Sequence, residues 1–283
     1  MDAESLFTNP FFLIALPILG FVVGTAVGAS GIGGAALLLP SLIFIGVPPQ
    51  LVVGADLAFN LFSKSFGTAL HTKKHNISWQ GLFYVTIVVI PSMLIASFVW
   101  GHIKENYGSE TLDLVILVSI PTILLSVGVY MVRIQLLQKK AKGDPGSEDD
   151  ALALKTNLST GDKSTLMGIG GVVSFIMQIT SVGAGTILVP ALLKVIRSPR
   201  HVAGTSVLFG VVSTAVGTAL HGGAGNVPWA LVGILLIGSI PGVKLGVRVA
   251  STVSAQKLTT IFTVVIFTAA FIILSKTVQV LVG

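Results

Sequence analysis

Apolar residues in this chain fall in long runs that short polar breaks separate. In the first half the runs cover about 10–29, 34–46, 51–71, 78–100 and 111–133. After a polar segment the pattern returns at about 164–180, 184–197, 201–221, 227–248 and 257–282. A helix needs about 20 apolar residues to cross the hydrocarbon core of a bilayer. The pattern therefore predicts an all-α polytopic membrane protein.

The composition supports a membrane protein and excludes several other classes. Of 283 residues, 53% are apolar and 10% are charged, whereas soluble domains carry about 25% charged residues. The net charge of +6 comes from scattered loop residues, which indicates membrane topology rather than binding to nucleic acid. Cysteine is absent, so disulfides and thiolate metal sites are excluded. The acidic start, MDAESLFTN, predicts no cleavable signal peptide.

The segment 134–163 mixes both signs of charge with proline and glycine. We expect it to be a polar linker without a membrane span. The predicted division is a first membrane repeat at 1–133, this linker, and a second membrane repeat at 164–283.

The two halves match each other in sequence. The pentapeptide GTALH occurs at 67–71 and again at 217–221, a shift of 150 residues. The same ungapped shift pairs further identical residues: Gly33 with Gly183, Pro40 with Pro190, Pro49 with Pro199, Gly54 with Gly204, Phe59 with Phe209, Ser63 with Ser213, Asn76 with Asn226, Trp79 with Trp229 and Pro91 with Pro241. The chain is therefore an internal duplication.

Loop charges predict that the two repeats have opposite orientations in the membrane. The loop TKKHN at 72–76 is basic and its counterpart GGAGN at 222–226 is uncharged. The loop VPPQ at 47–50 is neutral and its counterpart RSPR at 197–200 is basic. Since lysine and arginine collect on the cytoplasmic side, we expect an inverted-topology repeat in the cell (inner) membrane. The linker would be cytoplasmic and the N-terminus outside.

The first part of each half is predicted to be a hairpin. Residues 164–197 must leave and return on one side, yet the second limb has only about 14 residues, too few for a full span. A re-entrant or strongly tilted hairpin is expected there and, by the repeat, at 10–46. Each half is then a glycine-bent hairpin plus three transmembrane helices. The bends fall at GASGIGG (28–34) and TSVGAG (180–185).

Such bends can bind anions. A broken helix exposes amide N–H groups whose dipole favours negative charge, and two tips that enter from opposite sides would face each other near the midplane. The alternative is that the glycines serve helix packing. The substrate-binding candidates at the tips are Ser30, Gly31, Gly33, Gly34, Gln178, Thr180, Ser181, Gly183 and Gly185.

The helix predicted at 51–71 carries a polar stripe at three- and four-residue spacing: Asp56, Asn60, Ser63, Lys64, Gly67 and His71. Charges inside a span are costly and indicate function. We expect Lys64 and Asn60 to bind substrate, with Lys64 neutralising an anion, unless Lys64 is held structurally by Asp56 or snorkels to the interface. Asp56 is a counter-charge or a proton carrier. The second half has Ser206 and Thr214 at these positions, so the charges are asymmetric.

The histidines are weaker candidates. His71 and His221 end helices in opposite leaflets, where interfacial capping competes with a role as a proton or charge partner. No carboxylate accompanies His71 and His75, so no metal site is expected. No cofactor is expected either.

One family shares these features. The stretch GASGIGGAALLLPSLIFIGVPPQLVVGADLAFNLFSKSFGTALH and its second-half echo resemble the TauE/SafE family of sulfite and organosulfonate exporters. The likeness rests on the glycine-rich opening, the proline after the apolar run, the Gly-Ala-Asp-Leu step at 54–57 with its counterpart at 204–207, and the two-fold repeat. It implies export of a small anion. The second tip departs from the glycine-richer first.

These observations predict a secondary transporter, not an enzyme, that exports sulfite or an organosulfonate by alternating access. A coupling proton or other ion is a possible second partner beside the anion and the lipid bilayer. An anion channel, or a transporter for sulfate or thiosulfate, is the alternative. An intramembrane enzyme is disfavoured because no hydrolase, P-loop or metalloprotease motif is present. A cation transporter is disfavoured because paired acidic residues are lacking.

Overall fold

The computed structural model describes residues 10–30, 34–71, 77–141, 158–183, 185, 187–196, 199–252 and 255–282. The predicted all-helical class is confirmed, since these residues form ten α-helices and no strand. The first half contains α1 (Pro10–Ser30), α2 (Ala35–Phe44), α3 (Pro49–His71), α4 (Trp79–Thr86) and α5 (Val89–Ala141). The second half contains α6 (Thr160–Thr180), α7 (Leu188–Ile196), α8 (Pro199–Gly223), α9 (Trp229–Thr252) and α10 (Ala255–Val282).

Four of the described helices are long and apolar enough to cross a membrane. The apolar segments are Pro10–Ala29, Trp79–Arg133, Gly204–Gly223 and Trp229–Val249. The second limbs of the hairpins are far shorter, because α2 has 10 residues and α7 has 9. At about 1.5 Å per residue each is about 15 Å long or less, half of the roughly 30 Å hydrocarbon core. Neither limb can cross the membrane by itself.

Two helix boundaries differ from the sequence pattern. The run predicted at 78–100 breaks after Thr86, and α5 then continues through the polar stretch that the sequence placed between spans. The break in α5 is at Gly108, whose φ of 83° and ψ of 167° are not helical. Glycine adopts such a positive φ without steric cost. The chain is therefore kinked at Gly108, with helix before and after it.

Helices also extend into the segment 134–163. The helix α5 ends at Ala141 and α6 begins at Thr160; residues 142–157 lie outside the described part. Ser159 and Asp162 explain the start of α6, because the Ser159 side chain accepts from the Asp162 backbone N–H and the Asp162 side chain accepts from the Ser159 N–H. This capping box satisfies two backbone donors that a helix start leaves unpaired. Periodicity cannot detect polar helical turns of this kind.

The two halves interlock through close backbone contacts. A Cβ atom built on Gly20 of α1 would lie 2.0 Å from the carbonyl oxygen of Leu235 in α9. A Cβ atom on Gly170 of α6 would lie 2.2 Å from the carbonyl oxygen of Val85 in α4. Under the 150-residue shift Gly20 corresponds to Gly170, and Leu235 corresponds to Val85. The two contacts are therefore equivalent, with the roles of the two halves exchanged. The hairpin helix of each half therefore packs against the other half in equivalent places.

Helix directions can be read from contacts with α3. The Ser63 and Ser239 hydroxyls are 2.7 Å apart, and Gly67 faces Val243 four residues later, so α3 and α9 run in the same direction. In contrast, Gly217 of α8 faces Leu57, while Asn226, just after α8, faces Gly54. Residue numbers rise along α8 as they fall along α3. The helix α3 therefore packs antiparallel to α8, its own repeat counterpart.

Candidate functional site

The molecule has apolar side chains on its outside and polar ones inside. Large exposed apolar residues occur on outer helix faces, among them Phe11, Phe98, Ile237 and Phe271. Many polar side chains are buried where α3, α5, α6 and α8 meet: Asp56, Asn60, Lys64, Gln178, Thr180, Ser181, Thr218 and His221. This distribution suits a protein whose outer surface contacts lipid and whose interior contains a polar site.

The polar stripe of α3 lies at the centre of this interior. Asp56 is fully buried and Lys64 is 5% exposed. Residues four apart lie on one side of a helix, so Asp56, Asn60 and Lys64 occupy three successive turns. Asp56 and Lys64 interact electrostatically.

The second hairpin tip binds the first of these turns. Ser181 caps α6 in the left-handed conformation, with φ 59°. Its hydroxyl donates a 2.5 Å hydrogen bond to Oδ2 of Asp56. Oδ1 of Asp56 has no hydrogen-bond partner in the described structure. The buried carboxylate therefore holds the tip with one oxygen and leaves the other available.

The first hairpin tip binds the next turn. The backbone N–H of Gly34 donates to Oδ1 of Asn60 at 3.0 Å, and Nδ2 of Asn60 donates to the Asp56 carbonyl at 2.9 Å. The two tips thus contact adjacent turns of α3 and lie close to each other. Lys64 is one turn further along the same helix.

Several tip residues make contacts within the protein. Thr180 donates to the Ile176 carbonyl at 2.8 Å and accepts from the Val182 N–H at 3.3 Å. Its hydroxyl therefore satisfies the bent backbone of the tip. Gly185 is buried in the turn that follows.

The two described glycines nearest the bends lie against their own hairpins. A Cβ atom on Gly34 would lie 2.5 Å from Val23, and one on Gly183 would lie 3.1 Å from Met177 and 3.2 Å from Val173. These contacts favour the packing interpretation for both glycines. Gly31 and Gly33 lie outside the described residues, and Ser30 is the last residue of α1.

Gln178 and His221 form a further contact at the second tip. The side-chain amide of Gln178 donates to the Ser97 hydroxyl at 2.8 Å. The Gln178 carbonyl lies 3.0 Å from Nε2 of His221. Trp100 packs edge-on against the imidazole, with 4.8 Å between ring centroids. His221 was expected at the membrane interface, whereas the structure buries it against the tip. His71 is the last residue of α3.

Ser97 and Trp100 were not predicted from the sequence. Both lie in the apolar run at 78–100, where a serine and a tryptophan do not disturb the hydropathy pattern. Their three-residue spacing was the available signal, because it places them on one helix face. The second-half counterparts of the α3 charges, Ser206 and Thr214, are buried but uncharged. The described residues include no group of three or more histidine, cysteine or acidic side chains that could hold a metal ion.

The helices and the enclosed polar site define a multi-pass membrane protein. The chain belongs to the sulfite exporter TauE/SafE family, whose model matches residues 16–273. This confirms the family resemblance seen in the sequence.

Related proteins match over nearly their whole length. The probable membrane transporter protein YjnA of Bacillus subtilis (strain 168) is 28% identical over 246 residues, which cover 87% of this chain and 93% of that protein. The probable membrane transporter protein MJ0441 of Methanocaldococcus jannaschii is 27% identical over 268 residues, covering 87% and 91%. No solved structure matches the chain.

Proposed function

We propose that the protein is a secondary transporter that exports a small sulfur-containing oxyanion, such as sulfite or an organosulfonate, by alternating access. The observation that carries the proposal is the attachment of both hairpin tips to adjacent turns of α3 beside a buried lysine. The family description and the names of the relatives point the same way. Sites of this kind in transporters form near the bilayer midplane between repeats.

Lys64 supplies the charge that an anion needs. A buried ammonium is energetically unfavourable unless a ligand or a counter-charge compensates it. Asp56 interacts electrostatically with Lys64, but one of its oxygens is already bonded to Ser181. We infer that the anion binds at Lys64, where the buried positive charge attracts it.

The inverted repeat provides the means of alternating access. Two observations support the inversion. Where a loop of one repeat is basic, the corresponding loop of the other repeat is uncharged. In addition, α3 packs antiparallel to α8, its repeat counterpart, as inversion requires. In this proposal the two hairpins enter from opposite sides, and each tip controls access from its own side. Release of the Ser181–Asp56 contact would open one side, and release of the Gly34–Asn60 contact the other.

Export follows from the charge of the substrate. An inside-negative potential drives an anion outward by about 2.3 kcal/mol per charge per 100 mV. Accumulation inside the cell is therefore not required for export to be favourable.

Counterflow in proteoliposomes tests this function. Purified protein is reconstituted, the vesicles are loaded with unlabelled sulfite, and uptake of radiolabelled sulfite is followed; sulfoacetate, taurine, sulfate and thiosulfate are tested in parallel. A transient accumulation that saturates with sulfite is expected. Rapid, non-saturating equilibration without counterflow would indicate a channel instead. Counterflow with sulfate or thiosulfate alone would keep the mechanism and change the substrate.

A further inference from the structure

The contact between His221 and the second tip belongs to a group of buried polar atoms that lack partners. Within the described part of the chain, four atoms near this junction have no hydrogen bond: Nε1 of Trp100, Oε1 of Gln178, Oγ1 of Thr218 and Nδ1 of His221. All four side chains are more than nine-tenths buried. Buried polar atoms in proteins are normally hydrogen-bonded, so such a group indicates bound water, an ion or an exchangeable proton.

The contacts bring three helices together at this point. His221 of α8 contacts the Gln178 carbonyl of α6. The Gln178 side chain bonds Ser97 of α5, and Trp100 of α5 contacts the His221 ring. A Cβ atom on Gly217, one turn before His221, would lie 3.1 Å from Oε1 of Gln178. Each pair of these three helices is therefore joined at the contact between His221 and Gln178.

The hydrogen bond to Gln178 fixes the chemistry of the imidazole. A carbonyl oxygen only accepts, so Nε2 of His221 must be the N–H donor. In the neutral ring Nδ1 is then an unprotonated acceptor, and binding of a proton there makes the ring cationic. Of the four atoms, only Nδ1 can take up a proton near neutral pH.

We propose that His221 is a buried proton-binding site that couples proton binding to the position of the α6 tip. Protonation at Nδ1 makes the Nε2–H···O bond to Gln178 charge-assisted, and such bonds are about twice as strong as neutral ones. Gln178 is three residues before Ser181, so the protonated ring strengthens the docked position of the tip. Because Nδ1 is buried in this arrangement, proton exchange requires the tip to move away.

Other titratable groups on the packed helices can also respond to pH. Five helices pack against α8, namely α3, α4, α5, α6 and α7. Among the titratable groups that these helices carry are buried Asp56 and Lys64 on α3, which ends at His71, half-buried Tyr84 on α4, exposed His102 on α5, Lys163 on α6 and Lys194 on α7. Nδ1 of His221 has no hydrogen-bond partner in the described structure. A test must therefore report the protonation state of the His221 imidazole itself.

The fluorescence of Trp100 can report this protonation, because Trp100 contacts the His221 ring. The chain has three tryptophans, so changing Trp79 and Trp229 to phenylalanine leaves Trp100 as the single fluorophore. A protonated imidazole in contact with an indole ring quenches its emission. We expect a reversible loss of Trp100 emission as the pH is lowered from 8 to 5, the range in which histidine changes charge. The measurement uses purified protein in detergent without substrate.

Two variants and one control assign the transition. His221→Gln and His221→Asn should each abolish it. His71→Gln removes the repeat counterpart, which has Gly28 and Ala250 at the positions of Gln178 and Trp100, and should leave it intact. A flat emission profile in the parent protein, or the same transition in either His221 variant, would overturn the proposal. The parent titration is informative even if both variants fail to fold.

Coupling to transport rests on the proposed function and needs a second measurement. In proteoliposomes with an internal pH dye, a sulfite gradient should drive a pH change in the wild type and no pH change with His221→Gln. Fluorescence quenching without transport of any of the tested anions would contradict the proposed function but not the proton site. Sulfite transport with an unchanged proton flux in His221→Gln would contradict the coupling.

Discussion

Replacing Lys64 with glutamine tests whether its buried ammonium binds the substrate. The change removes one positive charge at a position 5% exposed and keeps a side chain of similar length. The Ser181–Asp56 bond at 2.5 Å and the Gly34–Asn60 bond at 3.0 Å do not involve Lys64, so both tips should stay attached. We therefore expect a folded protein that has lost affinity.

The expected size of the loss follows from one charge-assisted hydrogen bond. Such a bond contributes about 1.5–3 kcal/mol, and each 1.4 kcal/mol is a factor of about ten in the dissociation constant. Lys64→Gln should therefore weaken sulfite binding roughly ten- to a hundredfold. Lys64→Arg keeps the charge but changes its shape and reach, so an intermediate affinity is expected.

Equilibrium binding of radiolabelled sulfite to purified protein measures this effect. Lys244→Gln is the matched control, because Lys244 is exposed on α9 and its loss should leave the dissociation constant unchanged. The double variant Asp56→Asn with Lys64→Gln separates the two explanations for a loss. If Lys64 only balances Asp56, the double variant should recover binding that the single variant lost. Full recovery, or wild-type affinity in Lys64→Gln, would refute the assignment of Lys64 as a substrate ligand.

Three further predictions concern the tip, the helix packing and the topology. Ser181→Ala should lower the free energy of unfolding by about 1.5–3 kcal/mol, measured by denaturation in detergent, because the buried carboxylate loses its donor; an unchanged stability would contradict that contact. Gly242→Ala should destabilise the protein, since the new Cβ would lie 2.3 Å from a backbone oxygen. A Cβ at Gly233 on the same helix would meet nothing within 4 Å, so Gly233→Ala should be neutral or stabilising by up to about 1 kcal/mol. Equal shifts in melting temperature for the two variants would contradict the packing. Cysteines introduced at Lys74 and Gly223 should label from the cytoplasm and from outside, respectively, and labelling of both from one side would contradict the inversion.

The helical class, the family and the short second limbs of the hairpins could be predicted from the sequence. Each depends on a pattern that can be recognised along the chain without knowing how the helices pack. Runs of apolar residues mark helices, and the 150-residue register marks the duplication. Spacing on α3 also brought Asp56, Asn60 and Lys64 onto one face, as the structure has them. These features depend on local periodicity, which packing changes little.

What the sequence could not predict depends on which helix meets which. Nothing in the run at 78–100 indicates that Trp100 would contact His221, because that contact joins residues 121 positions apart in different repeats. Asp56 interacts with Lys64 of the same helix, as its spacing suggested, but its hydrogen-bond donor is Ser181, 125 positions away. Buried polar side chains choose partners by three-dimensional proximity, and hydropathy does not encode that choice.

Sequence differences between the two repeats explain why the site is asymmetric. Two equal halves that pack about a two-fold axis would present the same side chains to both tips. Here one tip is held by the carboxylate of Asp56 and the other by the neutral amide of Asn60, both from the first-half helix α3, while the second-half positions carry Ser206 and Thr214. A charged hydrogen bond is stronger than a neutral one and more sensitive to protons and anions. The two tips should therefore differ in the energetic cost of their release from α3.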